Sequence, residues 1–399
     1  MSAEPLLPQI SLAERDRRWR LVRARMAEER LDILILPAST SRWEQTMADS
    51  RYLTTIGGFG TEALTLFPRE GEVTAYVFNR AAFWRKAQAW VGDVRDGRNE
   101  WLRNIRERLG ELGFSSGRIG IAGLSGLTRT PDGIIPHATV AGLRDAYPAA
   151  EIVNATALMS RARQVKSAEE IAIMTRATAI AEAMVGTLAA LKPGDGEREM
   201  YGAMVQKLVI EGGELPAMIL IGSGPELAHG NFPPTSRRLA AGDLIVGEVE
   251  GRYAGYSGQI VRPAVLGEPA PEYRALVDIA VLCFHDVLAA MHAGATLSGV
   301  LAAYEAAVER HGGGRCRPAY PLMHARGLGD EYPTVLSPDD VAKHGDFRLE
   351  AGMVFVLKPR AARAGVVTAQ IGDTIVVGDS GGRRLGSGEL RLIELAWPR

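Results

Sequence analysis

Cysteine is rare in this sequence of 399 residues, which contains only Cys283 and Cys316. Two cysteines cannot build a disulfide framework, and their spacing does not match the CxxC pairs that bind zinc. Their rarity favours a reducing, cytoplasmic location. An excess of charge is also missing, because 46 lysines and arginines nearly balance 47 aspartates and glutamates. Since nucleic-acid-binding proteins usually carry a clear basic excess, we expect no nucleic-acid partner.

Long apolar runs are missing as well. A helix that crosses a bilayer needs about 20 consecutive apolar residues, and no window of the sequence approaches that length. The N-terminal stretch MSAEPLLPQISLAERDRRWR lacks the apolar core of a signal peptide. The sequence therefore predicts no membrane partner. Its length and its 46% hydrophobic content are sufficient for two domains with well-formed cores.

The first half of the sequence has the pattern of an α/β domain, which we place at residues 1–157. Ser11 and Glu14 form a capping box that opens an arginine-rich helix ending near Glu29. The apolar run LDILILP predicts a strand covered on both faces. EALTLFP and EVTAYVF, separated by a short charged turn, predict a hairpin. Strands then alternate with helices, which is typical of an α/β fold.

The second half, residues 158–399, has the pattern of an α+β domain. A second capping box, Ser167 and Glu170, opens a helix whose apolar residues recur at helical spacing. Further helices are predicted at 270–292 and 297–312. Strand-like segments with glycine turns lie between and after them, including DLIVGEVEGRYAGYSGQIVRPAVLG and GMVFVLKP. Helices combined with antiparallel strands predict an α+β fold.

A series of motifs in chain order carries a resemblance to a known family. The motifs are VKSAEEI, HGNFPPTSRRLAAGD, GEVEGRYAGYSGQIVRP, HARGLGDEYP, GMVFVLKP and QIGDTIVV. Together they resemble the pita-bread family, which contains aminopeptidase P, prolidase, methionine aminopeptidase, creatinase and ectoine hydrolase. The resemblance implies a creatinase- or prolidase-type N-terminal domain, followed by a pita-bread catalytic-like domain.

The positions at which this family binds two divalent cations are altered in the sequence. The resemblance places the ligand positions, normally two aspartates, a histidine and two glutamates, on Glu248, Gln259, His324, Lys358 and Gly372. Two close cations need several carboxylates, and one carboxylate remains here. A lysine ammonium has no lone pair with which to ligate a metal. We therefore expect no metal and no cofactor.

Lys358 follows an apolar strand, so we expect it to be buried and to need a partner, for which Glu248 is the obvious candidate. Such an ion pair could be purely structural. It could also belong to an active site, because creatinase lacks the metals and hydrolyses a C–N bond with a histidine, a role that falls here on His229. A histidine can pass a proton either way near neutral pH. On this interpretation the catalytic residues are His229, Glu248, His324 and Lys358.

The resulting prediction is a creatinase-like, metal-independent hydrolase that cleaves an amide or amidine bond in a small, carboxylate-bearing substrate. Lys358 would face an anionic group of the substrate or a developing oxyanion. The resemblance also implies a homodimer, in which the segment SRYLTTIGG from one N-terminal domain caps the cleft of the other subunit. The expected substrate-binding residues are Arg51, Tyr52, Tyr256, Gln259, Arg262, Arg326, Asp330 and Glu331.

Two alternatives remain open at the level of sequence. The first is a non-catalytic pita-bread binding protein. The second is a relative of Xaa-Pro-type metallopeptidases whose metal site is degenerate.

Overall fold

The structure, a computed structural model, describes residues 5–125, 130, 132–225, 233–335, 337–345 and 347–398. The chain divides into two compact units. The first comprises Met1–Gln164 and Leu328–Tyr332, and the second comprises Val165–Gly327 and Pro333–Arg399. The domain boundary predicted after residue 157 lies within a helix of the first unit, Thr156–Gln164.

The first unit is built around one six-stranded sheet. Its strands are β1 (Ile33–Leu36), β2 (Ala63–Pro68), β3 (Thr74–Val77), β4 (Asp93–Asp96), β5 (Gly117–Ile121) and β6 (Ala150–Asn154). Their order in the sheet is β4-β3-β2-β1-β5-β6. β2 pairs antiparallel with β1 and β3, whereas the remaining neighbours run parallel. The hairpin predicted from EALTLFP and EVTAYVF is therefore confirmed.

Helices cover this sheet. They are α1 (Leu12–Glu28), α2 (Ser41–Glu44), α3 (Ala48–Thr54), α4 (Ala81–Ala87), α5 (Trp101–Glu111), α6 (His137–Ala146) and α7 (Thr156–Gln164), with a 3-10 turn at Gln45–Met47. Leu109 of α5 and Leu143 of α6 pack with Ile35, Leu66 and Ile119 of the sheet. Parallel and antiparallel strands mixed with helices give the predicted α/β composition.

The second unit contains three sheets. Its strands are β7 (Ile219–Gly224), β8 (Leu244–Tyr253), β9 (Tyr256–Ile260), β10 (Ala264–Leu266), β11 (Arg317–Ala319), β12 (Met323–Arg326), β14 (Val354–Leu357), β15 (Arg360–Arg363), β16 (Val366–Gln370), β17 (Asp373–Val377), β18 (Gly382–Arg384) and β19 (Ile393–Leu395), together with the second half of β13 (Asp330–Val335), whose residues up to Tyr332 are counted with the first unit. The sheet orders are β19-β10-β8-β7 with β9 beside β8, β11-β15-β16, and β13-β12-β14-β17-β18.

The helices of this unit are α8 (Ala168–Gly186), α9 (Glu197–Ile210), α10 (Pro271–Ala290), α11 (Leu297–Gly312) and α12 (Pro338–His344), with a 3-10 turn at Thr187–Ala190. Both bonds of the capping box predicted at Ser167 and Glu170 are present at the start of α8. The helices predicted at 270–292 and 297–312 are confirmed as α10 and α11. The second unit thus has the predicted α+β composition.

Helix α8 is a core helix of the second unit. Within the described part of the chain, only Ala168–Ala190 is long and apolar enough to cross a membrane, and half of that window is buried inside the fold.

Glycines let helix α8 approach the β8–β9 hairpin closely. A Cβ on Gly251 would lie 2.1 Å from the carbonyl oxygen of Ala177, and one on Gly258 would lie 2.3 Å from the backbone nitrogen of Thr178. The paired strands therefore pack directly against the backbone of α8.

Candidate functional site

The centre of the candidate site is an ion pair between Lys358 and Glu248. Lys358 follows the fully buried strand β14, and Glu248 lies in β8. The Lys358 ammonium donates a hydrogen bond to Oε1 of Glu248. Lys358 is 2% exposed and Glu248 is 7% exposed. The contact predicted between these two residues is confirmed. It joins the end of strand β14 in one sheet to the middle of strand β8 in another.

The cationic surroundings hold Glu248 in its charged form. Burial alone would raise the pKa of Glu248. The charge and hydrogen bond of Lys358, with the charges of His324 and Arg360, outweigh burial and lower that pKa from 4.5 to about 2. Glu248 is therefore an anion throughout the physiological pH range.

Gln259 engages the other oxygen of Glu248. Its side-chain Nε2 donates to Oε2 of Glu248 at 2.8 Å. Its backbone is fixed by Thr374, whose hydroxyl accepts from the Gln259 N–H at 2.8 Å and donates to the Gln259 carbonyl at 2.9 Å. Both oxygens of the single carboxylate thus already have protein partners.

Gly372 is closely surrounded, so that a side chain at this position would have to displace its neighbours. A Cβ on Gly372 would lie 2.9 Å from the Cβ of Lys358, 3.0 Å from Cγ2 of Val261 and 3.1 Å from the carbonyl oxygen of Leu357. The backbone of Gly372 exchanges two hydrogen bonds of 3.0 Å with Val261. The first side-chain atom of a glutamate at position 372 would therefore press against the stem of Lys358, the side chain of Val261 and the backbone of Leu357.

The residues at the five family positions do not fit two divalent cations. They supply one carboxylate, one imidazole, one amide, one ammonium and one glycine: Glu248, His324, Gln259, Lys358 and Gly372. Across the described ranges, no group of three or more His, Cys, Asp or Glu residues is arranged to hold a metal ion. The ammonium also opposes any cation at Glu248.

His324 lies next to this centre. It is part of β12 and pairs with Val356 of β14, two residues before Lys358. It is buried, and its Nδ1 is 3.4 Å from the carbonyl oxygen of Ala325. Its charge is among those that lower the pKa of Glu248. The structure therefore brings together three of the four predicted catalytic residues. The fourth, His229, lies outside the described residues, and its role stays a prediction.

Arg262, predicted to bind substrate, belongs to a different ion-pair cluster. Its Nη2 is 2.9 Å from Oδ2 of the fully buried Asp373 and 3.8 Å from Oε1 of Glu182. Arg384 also donates to Asp373, at 2.7 Å. Arg262 lines a cavity of about 340 Å³ beside α8, whose lining includes neither Glu248 nor Lys358. These contacts give Arg262 a structural explanation.

Tyr256 and Arg326, two other predicted binding residues, are also engaged by the protein. The Tyr256 hydroxyl donates to Oε1 of Glu170 at 2.8 Å and so ties β9 to the start of α8. Arg326 forms a buried ion pair with Glu250 of β8. Both contacts are polar links inside the second unit.

The other predicted binding residues, Arg51, Tyr52, Asp330 and Glu331, lie in the first unit. The Tyr52 hydroxyl donates to the carbonyl of Ala162 at 3.0 Å. Arg163 binds Oε1 of Glu331 at 2.9 Å. Arg51 is buried, and Asp330 is half-buried. Their part in capping a cleft stays a prediction.

Two side chains of the site were missed at the level of sequence. Arg360 begins β15, two residues after Lys358, and Gln370 ends β16, two residues before Gly372. Arg360 is close enough to Glu248 for its charge to lower the pKa of that carboxyl. Strand alternation from Lys358 to Arg360 was the available signal for Arg360. No local signal marked Gln370.

Comparison with known proteins defines the class to which this fold belongs. The model of Metallopeptidase family M24 matches residues 172–379, and that of the Creatinase/Prolidase N-terminal domain matches residues 18–165. The chain belongs to metallopeptidase family M24, a family of hydrolases with the pita-bread fold, as the resemblance implied.

Particular relatives narrow the comparison. The chain is 24% identical to the Xaa-Pro dipeptidase of Pyrococcus furiosus over 66% of its own length and 74% of that protein's length. It is 26% identical to the probable dipeptidase PepE of Mycobacterium tuberculosis, over 57% of this chain and 60% of that protein.

Solved structures share the fold along nearly the whole chain. The X-Pro aminopeptidase of Thermotoga maritima matches with a TM-score of 0.77 and 19% identity, over 95% of this chain and 99% of that one. The Xaa-Pro dipeptidase of Bacillus anthracis matches with a TM-score of 0.74 and 20% identity, over 96% of this chain and all of that one.

These findings correct the function predicted from sequence. A creatinase-like, metal-independent C–N hydrolase was expected, and this prediction is wrong, because the relatives are named Xaa-Pro dipeptidase and dipeptidase PepE. The resemblance to creatinase rested on the loss of metal ligands, which several branches of one fold can share. The alternative of a Xaa-Pro-type metallopeptidase relative with a degenerate metal site agrees better with the comparisons.

Proposed function

We propose that this chain is a Xaa-Pro-type peptidase relative with a degenerate metal site, whose M24 domain binds a short peptide ligand without two-metal hydrolysis. The observation that carries the proposal is the buried ion pair between Lys358 and Glu248. It occupies the place at which the family arrangement calls for cation ligands.

Electrostatics support the loss of the metal pair. Two unit charges about 4 Å apart interact by about 4 kcal/mol at an effective dielectric constant of about 20. A divalent cation at Glu248 would therefore be repelled strongly by Lys358. Moving Lys358 away would leave its ammonium without Glu248 in a buried environment, and breaking a buried ion pair costs about 3–5 kcal/mol.

Unused polar atoms support a retained ligand pocket. In the described part of the chain, Oε1 of Gln259, both amide atoms of Gln370 and two nitrogens of Arg360 are buried without a hydrogen-bond partner. Each such group costs about 1–3 kcal/mol when it is left unsatisfied. A bound polar molecule would satisfy them, so their clustering around the ion pair favours a binding site over an inert scaffold.

The ligand class is taken from the relatives. The Pyrococcus furiosus protein is named a Xaa-Pro dipeptidase, so we propose Xaa-Pro dipeptides as the first candidate ligands. A dipeptide is a small-molecule ligand, and the net charge of −1 favours such a ligand over nucleic acid. The cytoplasmic location and the homodimer remain predictions.

Two measurements test the proposal. After incubation with Mn²⁺ or Co²⁺ and gel filtration, elemental analysis is expected to find far less than one metal ion per chain. Calorimetry with Ala-Pro is expected to detect binding that is the same with and without EDTA. Two bound metal ions per chain together with metal-dependent cleavage of Ala-Pro would overturn the degenerate metal site. A complete lack of binding across a panel of Xaa-Pro dipeptides would overturn the ligand class.

A further inference from the structure

Arg360 and Gln370 form a residue pair in the β11-β15-β16 sheet, close to Lys358. The two residues are direct partners in the antiparallel pairing of β15 and β16. Lys358 and Gly372, which are in contact, stand two residues before Arg360 and two residues after Gln370. Arg360 is 6% exposed and Gln370 is 1% exposed. Two buried polar side chains therefore lie side by side next to the ion pair.

The backbone of Arg360 is held firmly by Tyr304. The Tyr304 hydroxyl lies 2.6 Å from the carbonyl oxygen of Arg360 and 3.2 Å from its backbone nitrogen. The same hydroxyl is 2.8 Å from the carbonyl oxygen of Ala319 and 3.0 Å from its nitrogen. One tyrosine thus bridges β11 and β15 at Arg360, the first residue of β15. The side chain of Arg360 starts from a fixed point.

Only one corner of the Arg360 guanidinium is used by the protein. Its Nη1 donates to the carbonyl oxygen of Tyr320 at 2.9 Å. Its Nε and Nη2 are buried and have no hydrogen-bond partner among the described residues. Nε and Nη2 form one edge of the planar guanidinium, with two nearly parallel N–H bonds. That edge matches the two oxygens of a carboxylate.

Among Lys358, Arg360 and Glu248, which lie near this edge, the positive charges outnumber the negative charges by one. Lys358 and Arg360 are cations, and Glu248 is the anion that both influence, since each lowers its pKa. Lys358 already binds Glu248 directly. Arg360 therefore supplies a charge that no carboxylate contacts within the described site. A single carboxylate from a ligand would balance it.

We infer that Arg360 binds the carboxylate of the ligand through Nε and Nη2, and that the amide of Gln370 lies beside this contact as a further polar partner. The inference rests on the proposed function, because it assigns the carboxyl end of the same peptide ligand. It makes Arg360 a specificity residue that selects molecules with a free carboxylate. Arg360 is not one of the five positions at which the resemblance places metal ligands.

The first test compares Ala-Pro with Ala-Pro amide, in which the carboxylate is replaced by a neutral amide. Hydrogen bonds to charged groups imply a difference in affinity of about tenfold to a hundredfold. Calorimetry of the unmodified protein is expected to show the free acid binding tighter by that factor. Equal affinities for acid and amide would overturn the role of Arg360 and leave the proposed function standing.

The second test changes Arg360→Lys, which keeps the charge but lacks the two-nitrogen edge. The expected result is that the acid loses about tenfold in affinity while the amide binds as before. Arg274→Lys, at an exposed ion pair with Glu394, is the matched control and is expected to change neither affinity. Circular dichroism and a thermal melt check that both variants are folded. An Arg360→Lys protein that is folded and still prefers the acid as strongly as before contradicts the inference.

A third arm separates the inference from the proposed function. If no Xaa-Pro dipeptide binds, N-acetyl amino acids are compared with their amides. A preference for the acids that is lost in Arg360→Lys supports the carboxylate contact while the dipeptide proposal fails. No preference in this series overturns the contact too. Inorganic phosphate is the competitor that tests the anion class, and it is expected to displace the carboxylate ligand poorly.

Discussion

Gly372 packs against the stem of Lys358, so that a Cβ added to Gly372 would lie 2.9 Å from the Cβ of Lys358. The contact lies where β14 ends and β17 begins, and Leu357 pairs there with Asp373. Two of the five family ligand positions, 358 and 372, are therefore coupled by packing. A side chain at 372 would have to displace the lysine stem or the backbone around it. This coupling makes a return to metal binding by one substitution implausible on steric grounds alone.

Gly372→Ala is expected to destabilise the protein by about 1–3 kcal/mol, because one added methyl group is forced against Lys358 and the Leu357 carbonyl. Urea unfolding followed by fluorescence measures the change. Gly202→Ala is the matched control, since a Cβ there meets nothing within 4 Å and the residue lies in helix α9. The control is expected to be neutral or stabilising by up to about 1 kcal/mol. Equal effects of the two changes would refute the packing argument.

Lys358→Glu is expected to destabilise the protein by about 3–5 kcal/mol, because it removes the partner of Glu248 and places two carboxylates together in a buried site. It is also expected not to create a working two-metal site, since Gln259 and Gly372 remain. Unfolding free energies and metal analysis measure the two outcomes.

The control for this change is Lys343→Glu, the same charge reversal at an exposed position of α12. It is expected to alter stability by no more than about 0.5 kcal/mol. Recovery of metal-dependent dipeptidase activity in Lys358→Glu would show that the lost carboxylate alone had silenced the family chemistry.

Much of the fold could be predicted because its signals are local. The capping box at Ser167 and Glu170 fixed the start of α8, and the apolar run before Lys358 marked β14. Both patterns depend on residues within one turn or one strand. The motif order then placed Glu248 and Lys358 at one site, although they are 110 residues apart.

The rest of the site depends on strand register, and the register of β15 and β16 shifts at an irregularity between Ala361 and Arg363 that no sequence pattern marked. Arg360 and Gln370 meet because β15 and β16 pair in one particular alignment. Arg262 forms an ion pair with Asp373. This contact was not predicted, because the sequence did not determine the direction of the side chains that follow the glycine turn of the β8–β9 hairpin. Tyr256 likewise contacts Glu170, a residue of a distant capping box.

Tyr304→Phe tests the anchoring of Arg360. Removing the hydroxyl leaves the backbone groups of Ala319 and Arg360 without it. The expected cost is about 1–3 kcal/mol of unfolding free energy, measured by urea denaturation. Weaker binding of the free-acid ligand is expected as well, because Arg360 is then less well positioned.

Tyr201→Phe is the control for Tyr304→Phe. Tyr201 is a half-buried tyrosine in α9 whose hydroxyl makes no hydrogen bond to the described residues. Its loss is expected to change stability by less than about 0.5 kcal/mol. If the two phenylalanine variants lost the same stability, the bridge made by Tyr304 would be without energetic effect.

The ion pair also predicts a dependence of stability on pH. The pKa of Glu248 falls from 4.5 to about 2 on folding. A group whose pKa is lower in the folded state stabilises the protein above the unfolded-state pKa, and this contribution is lost as pH falls towards the folded-state pKa. Glu248 is thus expected to contribute up to about 3 kcal/mol of unfolding free energy above pH 5, and to lose this contribution between about pH 4.5 and 2.

Unfolding free energies of the unmodified protein and of Glu248→Gln, measured across this pH range, give the contribution of Glu248 as their difference. The difference should shrink towards low pH, because the glutamine cannot titrate, and a difference that stays constant from pH 6 to pH 2.5 would mean that Lys358 does not lower the pKa of Glu248.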